Sequence, residues 1–248
     1  MTNELHVYFR ESDKGNPLGR TELGGTYLSS VNRRKCFNNF LDAFGTENVH
    51  VICDNCNDDT IKFIRSKGIK DVDITSLGNT RSFMYCIDRA TSELDASDIS
   101  YFAEDDYLYT SDAREYIIEG ANLGEYTTCF DSLDKYKDTD KGGYNPLISR
   151  GGEITRVVLG KKCFYKETNA TTGTFAAKIQ ILREDYPIIS KHNQPEFDHP
   201  HDFAMFRELI VTRGRRIMVP LPGHSFHVGL EPSPFVDWET IVNNLKED

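Results

Sequence analysis

The first 103 residues alternate between two hydrophobic periods, and that alternation limits the possible folds more than any other feature. Leu5–Arg10 has the compact apolar character of a short strand. After a Gly/Ser-containing loop, a segment starting near Val31 places Phe37, Phe40, Leu41 and Phe44 on one helical face and stops at Gly45. The pattern repeats through a strand at Val49–Cys53, a helix at Thr60–Ser66 ended by Gly68, and a strand at Asp71–Thr75. A helix at Thr80–Leu94, with Phe83, Ile87, Ala90 and Leu94 in register, and a strand at Ile99–Ala103 complete it. Four strands separated by three helices make a mostly parallel sheet flanked by helices, an α/β fold. Open sheets of this kind bind ligands outside the carboxyl ends of their strands.

Beyond this point the periodicity weakens. A helix near Asp112–Asn122 leads to a strand at Glu125–Phe130, and Asp131–Gly152 is polar and reads as a mobile loop beside the site. Short β-like runs follow at Ile154–Leu159, Thr172–Phe175 and Arg216–Leu221, with helices near His201–Thr212 and from about Trp238. The 248 residues suit one domain, with 1–130 as its nucleotide-binding half and 131–248 as its acceptor-side half. The balance of 29 Lys+Arg against 39 Asp+Glu gives a net charge of −10. No basic stripe is present to follow a phosphate backbone, so no nucleic-acid partner is expected. No transmembrane segment or secretion signal is visible, and six scattered cysteines suit reduced thiols, so the expectation is a soluble cytoplasmic protein.

Chemistry concentrates in a few places. Tyr101–Ala103 is an apolar strand end that runs into Glu104, Asp105 and Asp106. Three adjacent acids there suit Mn²⁺ or Mg²⁺, although a solvated acidic turn has the same composition. Asp54, at the tip of the second strand, is placed to accept hydrogen bonds from a base or ribose, or to serve a turn. Cys53 and Cys56 match C-x-x-C without a second pair or a thioredoxin-like context. The glycine-rich phosphate fingerprints of dinucleotide oxidoreductases and P-loop ATPases are absent. A diphosphate would then be met by a metal, by Arg10, and by the helix start at Gly78-Asn79-Thr80-Arg81-Ser82, so Asn79 and Arg81 join the candidates. Two histidine clusters, His199/His201 beside Asp202 and His224/His227, hold four of the seven histidines.

Taken together these residues resemble the GT-A superfamily of glycosyltransferases, whose metal motif is Asp-x-Asp or a variant. The resemblance is closest to small family-2-like enzymes of bacteria, phages and large viruses, including the first domain of a chlorella-virus multidomain glycosyltransferase. It rests on Tyr101–Tyr109 (YFAEDDYLY), Gly152–Val157 (GEITRV), Thr168–Phe175 (TNATTGTF), His199–Glu208 (HPHDFAMFRE) and Pro222–Trp238, in that order along the chain. It implies a Rossmann-like nucleotide-sugar-binding fold with Mn²⁺ (or Mg²⁺) as cofactor. The partners would be a nucleotide-sugar donor, UDP-linked, and a glycan or other hydroxyl acceptor. Asp54 would contact the base or ribose, Asp106 would be the metal ligand with Glu104 and Asp105 in support, and His227 would complete the metal shell. Asp202 would be the catalytic base of an inverting transfer. Glu153, Arg156, Asn169 and Thr171 fall on the acceptor or sugar side. Two other classes stay open: a zinc hydrolase built on the histidine clusters, and a non-catalytic nucleotide-sugar or glycan-binding module.

Overall fold

The computed structural model describes residues 3–14, 18 and 26–246. Residues 1–2 of the N-terminal segment, and much of the expected Gly/Ser-containing loop before the first helix, lie outside the described residues. Strands β1 (Leu5–Glu11), β2 (Val49–Asp54), β3 (Asp71–Thr75) and β4 (Ile99–Glu104) alternate with helices α1 (Arg33–Phe44), α2 (Asp58–Ser66) and α3 (Asn79–Glu93). The four strands pair in parallel in the order β3-β2-β1-β4, as the alternation predicts.

Local chemistry starts and stops the helices. The Asn32 side chain accepts the Lys35 N–H at 2.9 Å, and Asn57 accepts those of Asp59 and Thr60, so each caps orphan amides of a first turn. Gly45, at φ 76°, lets the chain leave α1. The strand period of two then sends neighbouring residues to opposite faces of the sheet. Phe9, Val51 and Tyr101 enter a core with Phe37 and Phe40 of α1, whereas Tyr8, Ile52 and Phe102 enter a second core with Phe83 and Ile87 of α3. Both faces are covered, so the central strands read as almost unbroken apolar runs until their carboxyl ends.

The rest of the chain comprises β5 (Tyr107–Tyr109), α4 (Ala113–Leu123), β6 (Tyr126–Thr127), β7 (Val157–Leu159), β8 (Phe164–Thr168), β9 (Phe175–Lys178), α5 (Ile179–His192), α6 (Asp202–Arg213), β10 (Ile217–Leu221), β11 (Ser225–His227) and α7 (Trp238–Asn243). Among the described residues the sheet has nine strands, in the order β3-β2-β1-β4-β9-β6-β10-β8-β7, so strands from beyond residue 131 continue the sheet begun before it. β9 is antiparallel to both β4 and β6, which makes the sheet mixed. β5 and β11 form a separate antiparallel pair.

Several sequence expectations need correction here. The strand read at Glu125–Phe130 is confined to Tyr126–Thr127, because the Cys129 carbonyl beyond it accepts the N–H groups of His224 and Ser225. The β-like run Thr172–Phe175 is a turn, with Thr172 at φ 53° and Gly173 at φ 82°, and the strand begins at Phe175. Ile154–Leu159 contributes only Val157–Leu159. The helix α5 was not expected, since Pro187 lies inside it; burial of Ile179, Leu182, Ile188 and Ile189 sustains it. The segment Asp131–Gly152 forms two short 3-10 turns, Leu133–Tyr136 and Thr139–Lys141, tied down by buried Lys135, whose Nζ donates to the Ala170 carbonyl at 2.9 Å. Among the described residues, no helix is long and apolar enough to cross a membrane.

Candidate functional site

The carboxyl ends of β1, β2 and β4 deliver Arg10 and Glu11, Asp54, and Glu104 to one edge of the sheet, with Arg10 opposite Glu104 in the strand register. A cavity of about 410 Å³ opens there, lined by these residues together with Ser12, Lys14, Arg33, Asn79, Asp105 and Asp106. The chain therefore carries its densest charge where an open α/β sheet binds ligands.

The three consecutive acids have different partners. Glu104 Oε1 accepts from Arg10 Nε at 3.2 Å and Nη2 at 2.5 Å. Arg10 is itself fixed by the Asn79 carbonyl, the Asn79 side chain and Ser82 Oγ. Asp105 Oδ2 accepts the Ser12 N–H and Arg33 Nε, both at 2.9 Å. Asp106 instead faces His227, with Oδ2 and Nε2 3.2 Å apart. The pairing of β5 with β11 sets this contact: His227 lies opposite Tyr107, and the Val228 N–H donates to the Asp106 carbonyl at 2.9 Å. Gly229 N–H donates to His227 Nδ1 at 3.1 Å, which assigns the ring proton to Nε2, the nitrogen facing Asp106.

The electrostatics follow from this crowding. Burial raises the Glu104 carboxyl to about 7 in spite of Arg10. Burial and the neighbouring Asp106 raise Asp105 to about 6. Burial opposes ionisation of Asp106 as well, but the His227 hydrogen bond and charge outweigh it and hold that carboxyl below its ordinary value. His227 is raised in turn, because Asp106 overcomes the effect of burial on the ring. Glu11 adds a fourth carboxyl, pushed well above its ordinary value by burial and by Asp105. An edge with this many acids and two arginines favours a cation.

The other expected residues separate into those at the cavity and those away from it. Asp54 lines the cavity, and its carboxylate accepts from Thr75 Oγ1, Asn55 Nδ2 and the backbone N–H groups of Leu77 and Gly78, at 2.6–3.0 Å. These four bonds use the acceptor sites of a carboxylate, so Asp54 holds the turn that walls the cavity. Asn79 is at the cavity through Arg10, whereas Arg81 turns to the Pro195 carbonyl at 3.4 Å and is not among the lining residues. Asp202, the first residue of α6, accepts the Gly173 N–H at 2.9 Å. A Cβ on Gly173 would stand 3.6 Å from Glu104 Oε1, so the turn that holds Asp202 also touches Glu104, but Asp202 is not among the residues lining the cavity.

Glu153 and Asn169 brace the turn that carries Gly173. Glu153 pairs with Lys166 at 2.9 Å and accepts from Thr168 and from the Asn169 N–H, while Asn169 accepts from Asn145. Thr171 is buried, and Arg156 is exposed on the approach to β7. The two histidine clusters do not meet at one centre: His201 stacks on Phe197 and lies against His199, His224 stacks on Tyr116 and pairs with Asp112, and His227 meets Asp106. Among the described residues, no group of three or more His, Cys, Asp and Glu side chains is placed to hold a metal ion, which leaves a zinc hydrolase centre without its ligand set. Mg²⁺ and Mn²⁺ need less, because such ions take one or two protein ligands and complete their shells with phosphate oxygens and water. Asp106 would supply one such ligand; His227 would supply a second through Nε2 only in the other tautomer, with Nδ1 protonated and the Gly229 N–H bond released, so the fit of the residues present to such an ion rests first on Asp106.

Glu11, Lys14 and Arg33 were not expected at the site. Each is a single charge at the end of an element, a pattern shared with any solvated turn; only the position of Glu11 beside Arg10 at a strand end carries a usable signal.

No family model matches the chain, and no curated protein matches it. Solved structures do. A cytidylyltransferase from Leptospira borgpetersenii serovar Hardjo-bovis superimposes with a TM-score of 0.52 at 12% identity, covering 99% of this chain and 90% of that one. The 4-diphosphocytidyl-2C-methyl-D-erythritol synthase from Anaerococcus prevotii gives 0.51 at 12% identity, over 97% and 95%. The similarity shows a shared Rossmann-like α/β architecture along nearly the whole chain.

Proposed function

We propose that this chain is a metal-dependent glycosyltransferase of the GT-A type, moving a sugar from a nucleoside diphosphate donor, UDP-linked, to a hydroxyl of a glycan acceptor with inversion. What supports this reading is a cavity at the carboxyl edge of the sheet lined by Glu11, Asp54, Glu104, Asp105 and Asp106, with the Asp202 carboxylate held by Gly173 in the turn that touches Glu104. The donor's nucleoside lies against the turn that Asp54 holds, and Arg10 keeps Glu104 and Asn79 in place around it. Asp106, with His227 beside it, would hold Mn²⁺ or Mg²⁺. When bound, the ion supplies the positive charge that stabilises a departing diphosphate. Asp202 takes the proton of the attacking hydroxyl, a role worth about 10²–10⁴-fold.

A second reading is suggested by the names of the similar structures, a cytidylyltransferase and a 4-diphosphocytidyl-2C-methyl-D-erythritol synthase. Nucleotidyl transfer would use the same edge of the sheet but break a different bond. The products separate the two. Incubation with Mn²⁺ and a panel of UDP-sugars, or with CTP or UTP and sugar phosphates, releases a nucleoside diphosphate in the first case and pyrophosphate in the second. Release of nucleoside diphosphate from one UDP-sugar, stimulated by a glycan acceptor, is the expected result. Pyrophosphate release replaces the proposal with nucleotidyl transfer, and nucleotide binding without either product makes the chain a binding module.

A further inference from the structure

Three cations among the described residues line the cavity at the sheet edge, and two of them are committed to carboxylates. Arg10 donates to Glu104 and is held by Asn79 and Ser82, and Arg33 gives its Nε to Asp105. Moving either guanidinium onto a ligand would leave Glu104 or Asp105 without its partner. Arg81, expected from the sequence to meet phosphate, turns to Pro195 and lies off the cavity. The arginines of this edge are therefore poorly placed to answer the negative charge of a diphosphate.

Lys14 differs from them. It is exposed, and its Nζ donates to Asn55 Oδ1 at 3.1 Å, a neutral partner. That oxygen also accepts from Ser76 Oγ at 2.7 Å, so it keeps a donor when the ammonium turns away. The backbone beneath Lys14 is anchored on both sides. The Ser12 N–H donates to Asp105 Oδ2 at 2.9 Å, the Asp13 carboxylate accepts the Asn57 N–H and Thr60 Oγ1 at 2.6 and 2.9 Å, and the Lys14 N–H donates to Ser12 Oγ at 3.3 Å. A cation able to change partners thus stands on a fixed turn of the cavity wall. We infer that Lys14 is the phosphate-binding cation of this site: its ammonium leaves Asn55 and donates to the phosphate oxygens of the bound nucleotide. Lysine suits the role, because a point charge on a flexible stem follows phosphate oxygens without needing a planar partner. The inference rests on the cavity being a nucleotide site, and it holds for a UDP-sugar and a nucleoside triphosphate alike.

The test is equilibrium binding of UDP and of uridine, with Mn²⁺ present, to the full chain and to its Lys14→Ala and Lys14→Arg variants, with CTP and cytidine titrated in parallel. The nucleosides are followed by ligand-observed NMR, which reads weak affinities. Lys14→Ala should weaken UDP at least about 10-fold, the loss of one charge-assisted contact, and change uridine less than about 2-fold. Lys14→Arg, which keeps the charge, should recover most of that loss. The denaturation midpoint should not move, because the exposed ammonium bonds one amide oxygen. UDP affinity unchanged in Lys14→Ala, or an equal loss for UDP and uridine, overturns the inference, the equal loss making Lys14 a brace for the Asn55 turn. If CTP binds the parent and UDP does not, the glycosyl-donor reading falls and the comparison of CTP with cytidine decides Lys14. Binding of neither nucleotide to the parent defeats both.

Discussion

Two regions of this molecule bury charge, and they do so on opposite terms. Beneath the 131–153 segment, Lys166 stands between Asp131 at 3.0 Å and Glu153 at 2.9 Å, and all three side chains are at most 7% exposed. Lys135 supplies a second cation nearby, so two lysines meet the carboxylates of Asp131, Asp134 and Glu153. At the sheet edge, Arg10 and Arg33 meet four carboxyls, those of Glu11, Glu104, Asp105 and Asp106, and the last is 27% exposed toward the cavity. A closed cluster of paired charges acts on stability. In the open cluster burial already pushes Glu11, Glu104 and Asp105 toward their neutral forms, and an added cation would favour their ionised forms.

The comparison is sharpest when the two regions are mutated in parallel. Asp202→Asn should lower kcat by about 10²–10⁴-fold, with the denaturation midpoint almost unmoved; a similar loss of stability would make Asp202 structural. Lys166→Met should do the reverse, costing about 3–5 kcal/mol in chemical denaturation because two buried carboxylates lose their partner. A variant as stable as the parent would show that the second cluster is not closed. Gly173→Ala tests the link between the regions. Its φ of 82° makes an L side chain costly by about 1–3 kcal/mol, and because the strain falls on the turn that holds Asp202 and touches Glu104, activity should fall further than stability explains. The smallest effect is expected at Arg81: Arg81→Ala should change UDP affinity less than about 3-fold, under 1 kcal/mol, because its side chain reaches Pro195. A 10-fold loss would place that arginine on the donor.

Much of this architecture was legible from residue patterns. Tyr8/Phe9, Val51/Ile52 and Tyr101/Phe102 alternate between two cores, and that forces the central strands into a covered sheet. Glu104, Asp105 and Asp106 stood out because an apolar strand has no reason to end in three acids unless something compensates them. What escaped notice depended on distant partners. The five-residue strand Phe164–Thr168 is stabilised by pairing with Ile217–Leu221 and carries no local signal of its own. Asp54 looked like a ligand contact, but the turn from Thr75 to Gly78, which folds back onto it, occupies its oxygens. Arg33 looked like the solvated start of a helix, since only the folded sheet brings it to Asp105. The meeting of Asp106 with His227 was suggested by resemblance alone, because nothing local to either residue points to the other.

The central claim is that the open cluster of carboxyls at the sheet edge takes up a divalent ion together with a nucleoside diphosphate, and calorimetric titration of UDP with and without Mn²⁺, on the parent and on Asp106→Ala, tests it most directly. The account predicts that Mn²⁺ tightens UDP binding at least about 10-fold, about 1.4 kcal/mol, in the parent and not in Asp106→Ala, with the denaturation midpoint of the variant unchanged or raised. UDP affinity that ignores Mn²⁺ in the parent, or a Mn²⁺ effect that persists without Asp106, would contradict it.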